Sequence, residues 1–175
     1  MKSTNSPIYW SLLKHQDWNL YLAATSKGLC FVGSQNKPFE ELVKWAEKRF
    51  PGSSLYEDSE KLENYVEEIT EYLEGKKQSF TLPCVFTGTD FQLAVWDALC
   101  EIPFGQTWSY SDIATHINKP SAVRAVGAAI GANPILIKIP CHRVVGKNGA
   151  LTGYRGGLDM KMKLLELEKQ LQIQS

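Results

Sequence analysis

No stretch of this 175-residue chain is apolar for long enough to cross a membrane. It also lacks a basic segment followed by an apolar one at its start: "MKSTNSPIYWSLLKHQDWNLYL" is broken by polar residues throughout, which argues against a secretory signal. Cysteine is sparse. The four residues Cys30, Cys84, Cys100 and Cys141 form no C-x-x-C pair, and the chain is far from disulfide-dense. The three histidines, His15, His116 and His142, fall at no metal-ligand spacing. Net formal charge is zero, an unpromising value for a nucleic-acid binder. These absences lead to the expectation of a soluble, cytoplasmic protein with no membrane partner, no bound metal and no cofactor.

What is present begins with a core. Hydrophobic residues make up 43% of the chain, enough for one domain or two small ones. The zero net charge hides an asymmetry. Residues 1–80 carry 10 basic and 12 acidic side chains; residues 81–175 carry 9 and 7. Between residues 113 and 163, eight bases (Lys119, Arg124, Lys138, Arg143, Lys147, Arg155, Lys161, Lys163) face one acid, Asp159. Such a stretch is either a solvated basic face or the footprint of a phosphate-binding surface, and charge alone does not choose.

The patterning predicts an α+β chain in two parts, residues 1–80 and 81–175. "IYWSLL", "WNLYLAAT" and "GLCFVGS" are β-favouring and separated by "KHQD" and "SKG" turns, which predicts a short antiparallel meander. Two helices follow, over "KPFEELVKWAEKRF" and "EDSEKLENYVEEITEYLEG"; the acidic polar face of the second suits solvent. A polar stretch over 76–88 precedes the next helix, "TDFQLAVWDALCEIPFG", capped by Thr89 or Asp90. Then come two short helices, "SYSDIATHIN" and "SAVRAVGAAIGAN", the second with Ser121 as expected N-cap and Arg124 as its only charge. A short helix, a tight break and a small-residue helix outline a helix-turn-helix. "NPILIKIP" reads as an extended run leading into "CHRVV", and "LDMKMKLLELEKQLQ" as a closing amphipathic helix.

The chemistry concentrates in "IPCHRVVGKNGALTGYRGG", residues 139–157. Cys141 is a reactive thiol, a ligand or a core residue. A thiol becomes a good nucleophile only when a base takes its proton. His142 is adjacent, but on a strand adjacent side chains point to opposite faces. It serves as the base only if the chain turns at "PCH" or a water bridges the two. A carboxylate to hold the imidazole is available in Asp159, Glu166 or Glu168.

"IPCHRVV" followed by "GYRGGLDMKMKLLELE" strongly resembles the methylated-DNA-protein-cysteine methyltransferases, also called 6-O-alkylguanine-DNA alkyltransferases. The family core is Pro-Cys-His-Arg-Val, here Pro140 to Val144, and the likeness runs over about residues 80–170. It implies a ribonuclease-H-like N-terminal domain with a small antiparallel sheet and helices, supporting a mostly helical C-terminal domain that carries the helix-turn-helix and performs alkyl transfer. It further implies repair by direct damage reversal. The protein binds double-stranded DNA containing alkylated guanine through the minor groove and flips the base out. The alkyl group moves from 6-O-alkylguanine, or less well 4-O-alkylthymine, to the cysteine irreversibly, once per molecule. A monomer is expected, with cooperative binding along DNA left open.

The same resemblance distributes roles. Cys141 is the acceptor. His142 takes its proton through a water, and Glu168 is the carboxylate that orients His142. Asn133 holds the preceding turn and helps polarise that water. Tyr110 crowds the 3′ phosphate and donates to the leaving guanine. Arg124 is the finger that replaces the flipped base, and Ser121, Ala125 and Ala128 let its helix approach DNA closely. Tyr154 is a pocket wall, and Gly156 belongs to a loop that approaches the flat base. The backbone N–H of Arg155 reaches the guanine oxygen, while the carbonyls of Cys141 and Val144 accept from the exocyclic amine. The arginine side chain at 155 is a departure from the small polar residue of some members, expected to make the pocket mouth tighter or more basic; Leu136 is expected near the rim. Three rivals remain: a non-catalytic relative that binds alkylated guanine, a Cys-His hydrolase unrelated to DNA, and a plain helix-turn-helix regulator.

Overall fold

The computed structural model describes residues 6–174. They form two compact units, one ending at Thr87 and the other beginning at Gly88.

The first unit is built on β1 (Ile8–His15), β2 (Trp18–Thr25) and β3 (Gly28–Val32), joined by tight turns into the expected antiparallel meander. A fourth strand, β4 (Leu55–Glu57), lies parallel to β1, giving the order β3-β2-β1-β4. The sequence reading missed β4 because "PGSSLYEDSE" carries turn signals on both sides of three residues. Helices α1 (Glu40–Arg49) and α2 (Ser59–Leu73) stand where their periodicity predicts. Asp58 caps α2 by accepting from the Lys61 N–H, and Gly75, at φ 79°, ends it. There Gly75 N–H donates to Tyr72 O and Lys76 N–H to Glu71 O, so a left-handed glycine satisfies the last carbonyls. Leu62, Ile69 and Tyr72 are fully buried on its inner face, each contributing about 1.5–3 kcal/mol of burial. The acidic face is not all solvated. Glu68 is buried, and it accepts from Lys77 Nζ, Thr81 N and Oγ1, and Leu82 N, tying the segment after α2 to the helix.

The second unit contains α3 (Asp90–Leu99), β5 (Trp108–Ser109), α4 (Tyr110–His116), α5 (Val123–Gly131), β6 (Val144–Val145) and α6 (Leu158–Gln174). Thr89 and Gln92 form a reciprocal cap at α3, and Ser109 and Asp112 one at α4. Val95, Trp96 and Leu99 of α3, Ile113 and Ala114 of α4, and Val126, Ala129 and Ile130 of α5 are buried. Trp96 Nε1 donates to Ala129 O at 2.9 Å, fixing α5 on α3.

Two local expectations fail. Ser121 does not cap α5: the N-cap is Ala122 and no side chain caps it. Ala122 N–H already bonds Lys119 O, so a backbone turn over "KPSA" brings the chain into the helix, and Ser121 is exposed. "NPILIKIP" is not extended. Ile139 N–H bonds Ile135 O and Lys138 N–H bonds Leu136 O, folding the run into turns with Ile137 at φ 71°. Burial of Ile135, Leu136, Ile137 and Ile139 explains their apolar character without a strand. Leu136 is therefore core, not rim.

Candidate active site

The turns over 135–139 deliver the chain into a 3-10 turn, Cys141–Arg143, after Pro140. Neighbouring side chains on such a turn are not driven to opposite faces, which removes the objection to a Cys141–His142 pairing. Cys141 is 2% exposed. Asn133, at the end of α5, holds it: Nδ2 donates to Ile139 O at 3.0 Å and to Cys141 Sγ at 3.1 Å, while Oδ1 accepts from Ile135 N–H at 2.9 Å. The backbone donor on the oxygen fixes the amide orientation, so it is the N–H side that faces sulfur.

His142 and Glu168 meet across 26 residues. His142 Nε2 lies 2.8 Å from Glu168 Oε2, and both side chains are almost fully buried. Arg143 grips the same carboxylate, Nε on Oε1 and Nη2 on Oε2 at 2.9 Å each, and Nη1 donates to Ile102 O at 2.7 Å. Gly105 N–H adds a further donor to Oε1 at 3.1 Å. Burial pushes the Glu168 carboxyl up, but the hydrogen bonds and charges of His142 and Arg143 outweigh it and hold the group at about 2. A carboxylate only accepts, so Nε2 of His142 carries the proton and Nδ1 keeps the lone pair a base requires. Burial lowers His142 despite Glu168, keeping the imidazole neutral. Burial also raises the Cys141 thiol, against the Asn133 hydrogen bond and the charges of Arg155 and Lys161. The resting site is thus a protonated thiol beside a neutral base, not a standing thiolate.

Cys141 opens onto a cavity of about 370 Å³ shared with Tyr110, Gly127, Ile130, Gly131, Gly153, Tyr154 and Arg155. That volume suits a small planar group. Gly127 and Tyr110 are neighbours in its lining; a methyl group on Gly127 would stand 4.0 Å from the Tyr110 ring. Gly156 is buried behind Tyr154, where an added Cβ would lie 2.7 Å from Tyr154 and 3.2 Å from Leu136. Burial keeps the Tyr154 phenol protonated by raising it well above its ordinary value. Arg155 does not crowd the mouth as a free cation: Nε donates to Asn133 O at 2.9 Å and Nη2 to Pro134 O at 3.3 Å. It braces the turn that carries Asn133. On the outer face of α5, Arg124, Ala125 and Ala128 are exposed together with Ser121, leaving one cation among small residues.

Two family models match. One, for the DNA-binding domain of 6-O-methylguanine DNA methyltransferase, covers residues 90–170; the other, for that family's ribonuclease-like domain, covers residues 8–85. The chain belongs to the 6-O-methylguanine DNA methyltransferase family. Among relatives of this methyltransferase family, the inducible methylated-DNA-protein-cysteine methyltransferase of Bacillus subtilis is 71% identical over 167 residues, 95% of this chain and 93% of the relative. One from Methanosarcina barkeri is 41% identical over 93% of this chain and 98% of its own. The crystal structure of the Mycobacterium tuberculosis protein in complex with DNA superposes with a TM-score of 0.81 at 37% identity, over 93% of this chain and 94% of that one.

For the methyltransferase family, the fold class expected from sequence holds: a small N-terminal sheet with helices, then a helical unit. Of the residues singled out, the structure bonds Asn133 to Cys141 and His142 to Glu168 on the two neighbours of one turn, and sets Tyr110, Tyr154 and Arg155 around the adjoining cavity, with Gly156 packed against Tyr154. Val144 follows the turn as part of β6. Arg124, Ser121, Ala125 and Ala128 line no part of it; Arg124, Ala125 and Ala128 share the exposed face of α5, and Ser121 is exposed in the turn before that helix. The sequence reading missed Arg143, Lys161 and Thr152. Arg143 and Lys161 were counted in the basic stretch, yet both are buried. The available signal was Arg143 within a hydrophobic "CHRVV" and Lys161 on the apolar stripe of the last helix, three residues before the buried Leu164.

Proposed function

We propose that this chain repairs DNA by direct reversal, moving the alkyl group of 6-O-alkylguanine in duplex DNA to Cys141, once per molecule. The observation that carries the reading is a buried thiol, hydrogen-bonded by Asn133, open to a base-sized cavity and adjacent to a His142–Glu168 pair. The guanine is flipped into the cavity between Tyr110 and the loop over 153–156. His142 Nδ1 takes the thiol proton through a water as Sγ attacks the alkyl carbon. A C–S bond forms, the C–O bond breaks, and the electron pair passes into the purine, which takes a proton from Tyr110. Glu168 stabilises the resulting imidazolium. No group in the cluster reverses a thioether, so the product stays alkylated. The protein acts as a monomer on the minor groove, with α5 against DNA and the first unit in support. Titration of duplex DNA containing one 6-O-methylguanine tests this: repair stops at one lesion per protein molecule. Continued turnover favours a Cys-His hydrolase, and tight binding without repair favours a non-catalytic relative.

Arg124 is assigned to the gap left by the flipped base. Being exposed, it contributes within roughly 0.5 kcal/mol to stability. Arg124→Ala should therefore melt like the wild type and react normally with free 6-O-methylguanine base, while repair in duplex falls by about tenfold or more, the worth of one charged contact. Equal rates on duplex and free base, relative to wild type, contradict the assignment.

A further inference from the structure

Two phenols line the cavity beside Cys141, and they are held differently. The hydroxyl of Tyr154 is buried with no hydrogen-bond partner among the described residues, and burial keeps its proton on. A phenolate formed there would have no donor to meet its charge. Tyr110 has one: Thr152 Oγ1 lies 2.8 Å from its hydroxyl, across 42 residues of chain. Thr152 lies outside the cavity lining, so what it does for the reaction passes through Tyr110.

The threonine hydroxyl is held in place. A β-branched side chain is stiff about its first torsion. The Thr152 methyl packs toward Gly146, where an added Cβ would lie 3.1 Å from it. The backbone is tied down as well: buried Lys161 donates from Nζ to Thr152 O at 3.2 Å and to Val144 O at 2.6 Å. With methyl and backbone fixed, Oγ1 stays on Tyr110. Each of the two hydroxyls has one proton and accepts as well as donates. A phenol that gives its proton to Thr152 has none for a purine. A phenol that accepts from Thr152 has its own proton free.

We infer that Thr152 is a positioning residue for proton delivery to the leaving base: its hydroxyl donates to the Tyr110 oxygen, so that the phenol proton is released to the purine and the phenolate left behind keeps a hydrogen bond. As the C–O bond to the alkyl group breaks and its electron pair enters the purine, the O–H bond of Tyr110 breaks and an N–H bond forms on the base. The negative charge stays on the phenol oxygen, where Thr152 meets it, until water restores the proton. A hydrogen bond to a charged oxygen is roughly twice as strong as one to a neutral oxygen, so this contact strengthens as the reaction proceeds and lowers its barrier. The inference rests on the alkylguanine reading above.

The test measures the single-turnover rate of methyl transfer from duplex DNA containing 6-O-methylguanine. Affinity for the same duplex is measured with each change made in Cys141→Ala. Thr152→Val keeps the shape and removes the hydroxyl. Its rate should fall by about tenfold or more, the worth of one hydrogen bond to a charged group, while affinity stays within about twofold. Thr152→Ser keeps the hydroxyl without the methyl and should hold the rate within about threefold of wild type. In Tyr110→Phe, Thr152→Val should cause no further loss, because the oxygen it serves is gone. A full Thr152→Val loss in that background means that the threonine only supports its loop, and overturns the proposal. Equal losses in Thr152→Val and Thr152→Ser trace the effect to the methyl group and overturn it too, as does a fall in affinity that matches the fall in rate. Wild type that moves no methyl group sinks the alkylguanine reading itself. Wild type that does so, matched in rate by Thr152→Val, sinks the threonine's role alone.

Discussion

Cys141→Ala should bind duplex DNA containing 6-O-methylguanine and remove no methyl group from it. The loss is complete because nothing else in the cavity can accept a carbon: Tyr110 and Tyr154 present phenols, Tyr154 held protonated by burial, and the remaining lining is glycine, isoleucine and an arginine bonded to backbone. Folding should suffer little. Asn133 keeps its bonds to Ile139 O and from Ile135 N–H when sulfur is removed, so no buried donor is left wholly unpaired. Loss of one small buried atom costs about 1 kcal/mol. Gel-shift affinity and melting temperature should stay close to wild type while transfer is undetectable. Residual transfer at a comparable rate would mean that the acceptor lies elsewhere, with Cys100, exposed at the end of α3, the next thiol to examine.

Glu168→Gln should be the most damaging change outside the nucleophile, through two separable effects. The carboxylate accepts from His142, twice from Arg143 and from Gly105 N–H. An amide has one oxygen for these donors and turns its NH2 toward either Arg143 or His142. Facing His142, it moves the imidazole proton to Nδ1, where no base is then available; the rate should fall by roughly 10²–10⁴, the usual worth of general-base assistance. Arg143, buried, loses half of its bidentate partner, which costs about 3–5 kcal/mol. The wild-type pH dependence carries the same signature. Glu168 has a folded-state pKa of about 2 against an ordinary 4.5, so its stabilisation is complete above pH 4.5 and is lost as pH falls toward 2. That lowering corresponds to stabilisation on the order of 3 kcal/mol. His142, lowered by burial, adds in the same direction: it is neutral when folded, so stability begins to fall below its ordinary 6.5. Urea denaturation between pH 7 and 2 should show both limbs in wild type. Glu168→Gln should lose the lower one and start from a lower plateau. An unchanged acid limb would show that Glu168 is not held ionised by this cluster.

Periodicity made the helices legible, and the "PCHRV" core pointed to the site before any distance was known. Failures came where tertiary contacts overrode local signals. "NPILIKIP" looks like a strand because four of its residues are apolar, but burial from turns leaves the same composition as burial from a sheet. Strand β4 and strand β5, of three and two residues, are too short to generate an alternation. Ser121 precedes a helix as a cap should, yet the Lys119 carbonyl supplies the turn from the backbone. Within the site, Cys141, His142 and Glu168 were identifiable as residue types, and only the fold shows that Arg143 holds the same carboxylate. Lys161 was hidden because charge counts take every lysine for a surface residue. Its burial on two carbonyls is a property of where α6 packs.

The central claim is that Cys141 itself receives the alkyl group and keeps it. The direct measurement is the mass of the intact protein, then of its peptides, after incubation with excess duplex DNA carrying 6-O-methylguanine. The account predicts one added methyl group per molecule, on the peptide containing Cys141, with no further gain as DNA is increased. An unmodified Cys141 after complete repair, or a methyl group on another residue, would contradict it.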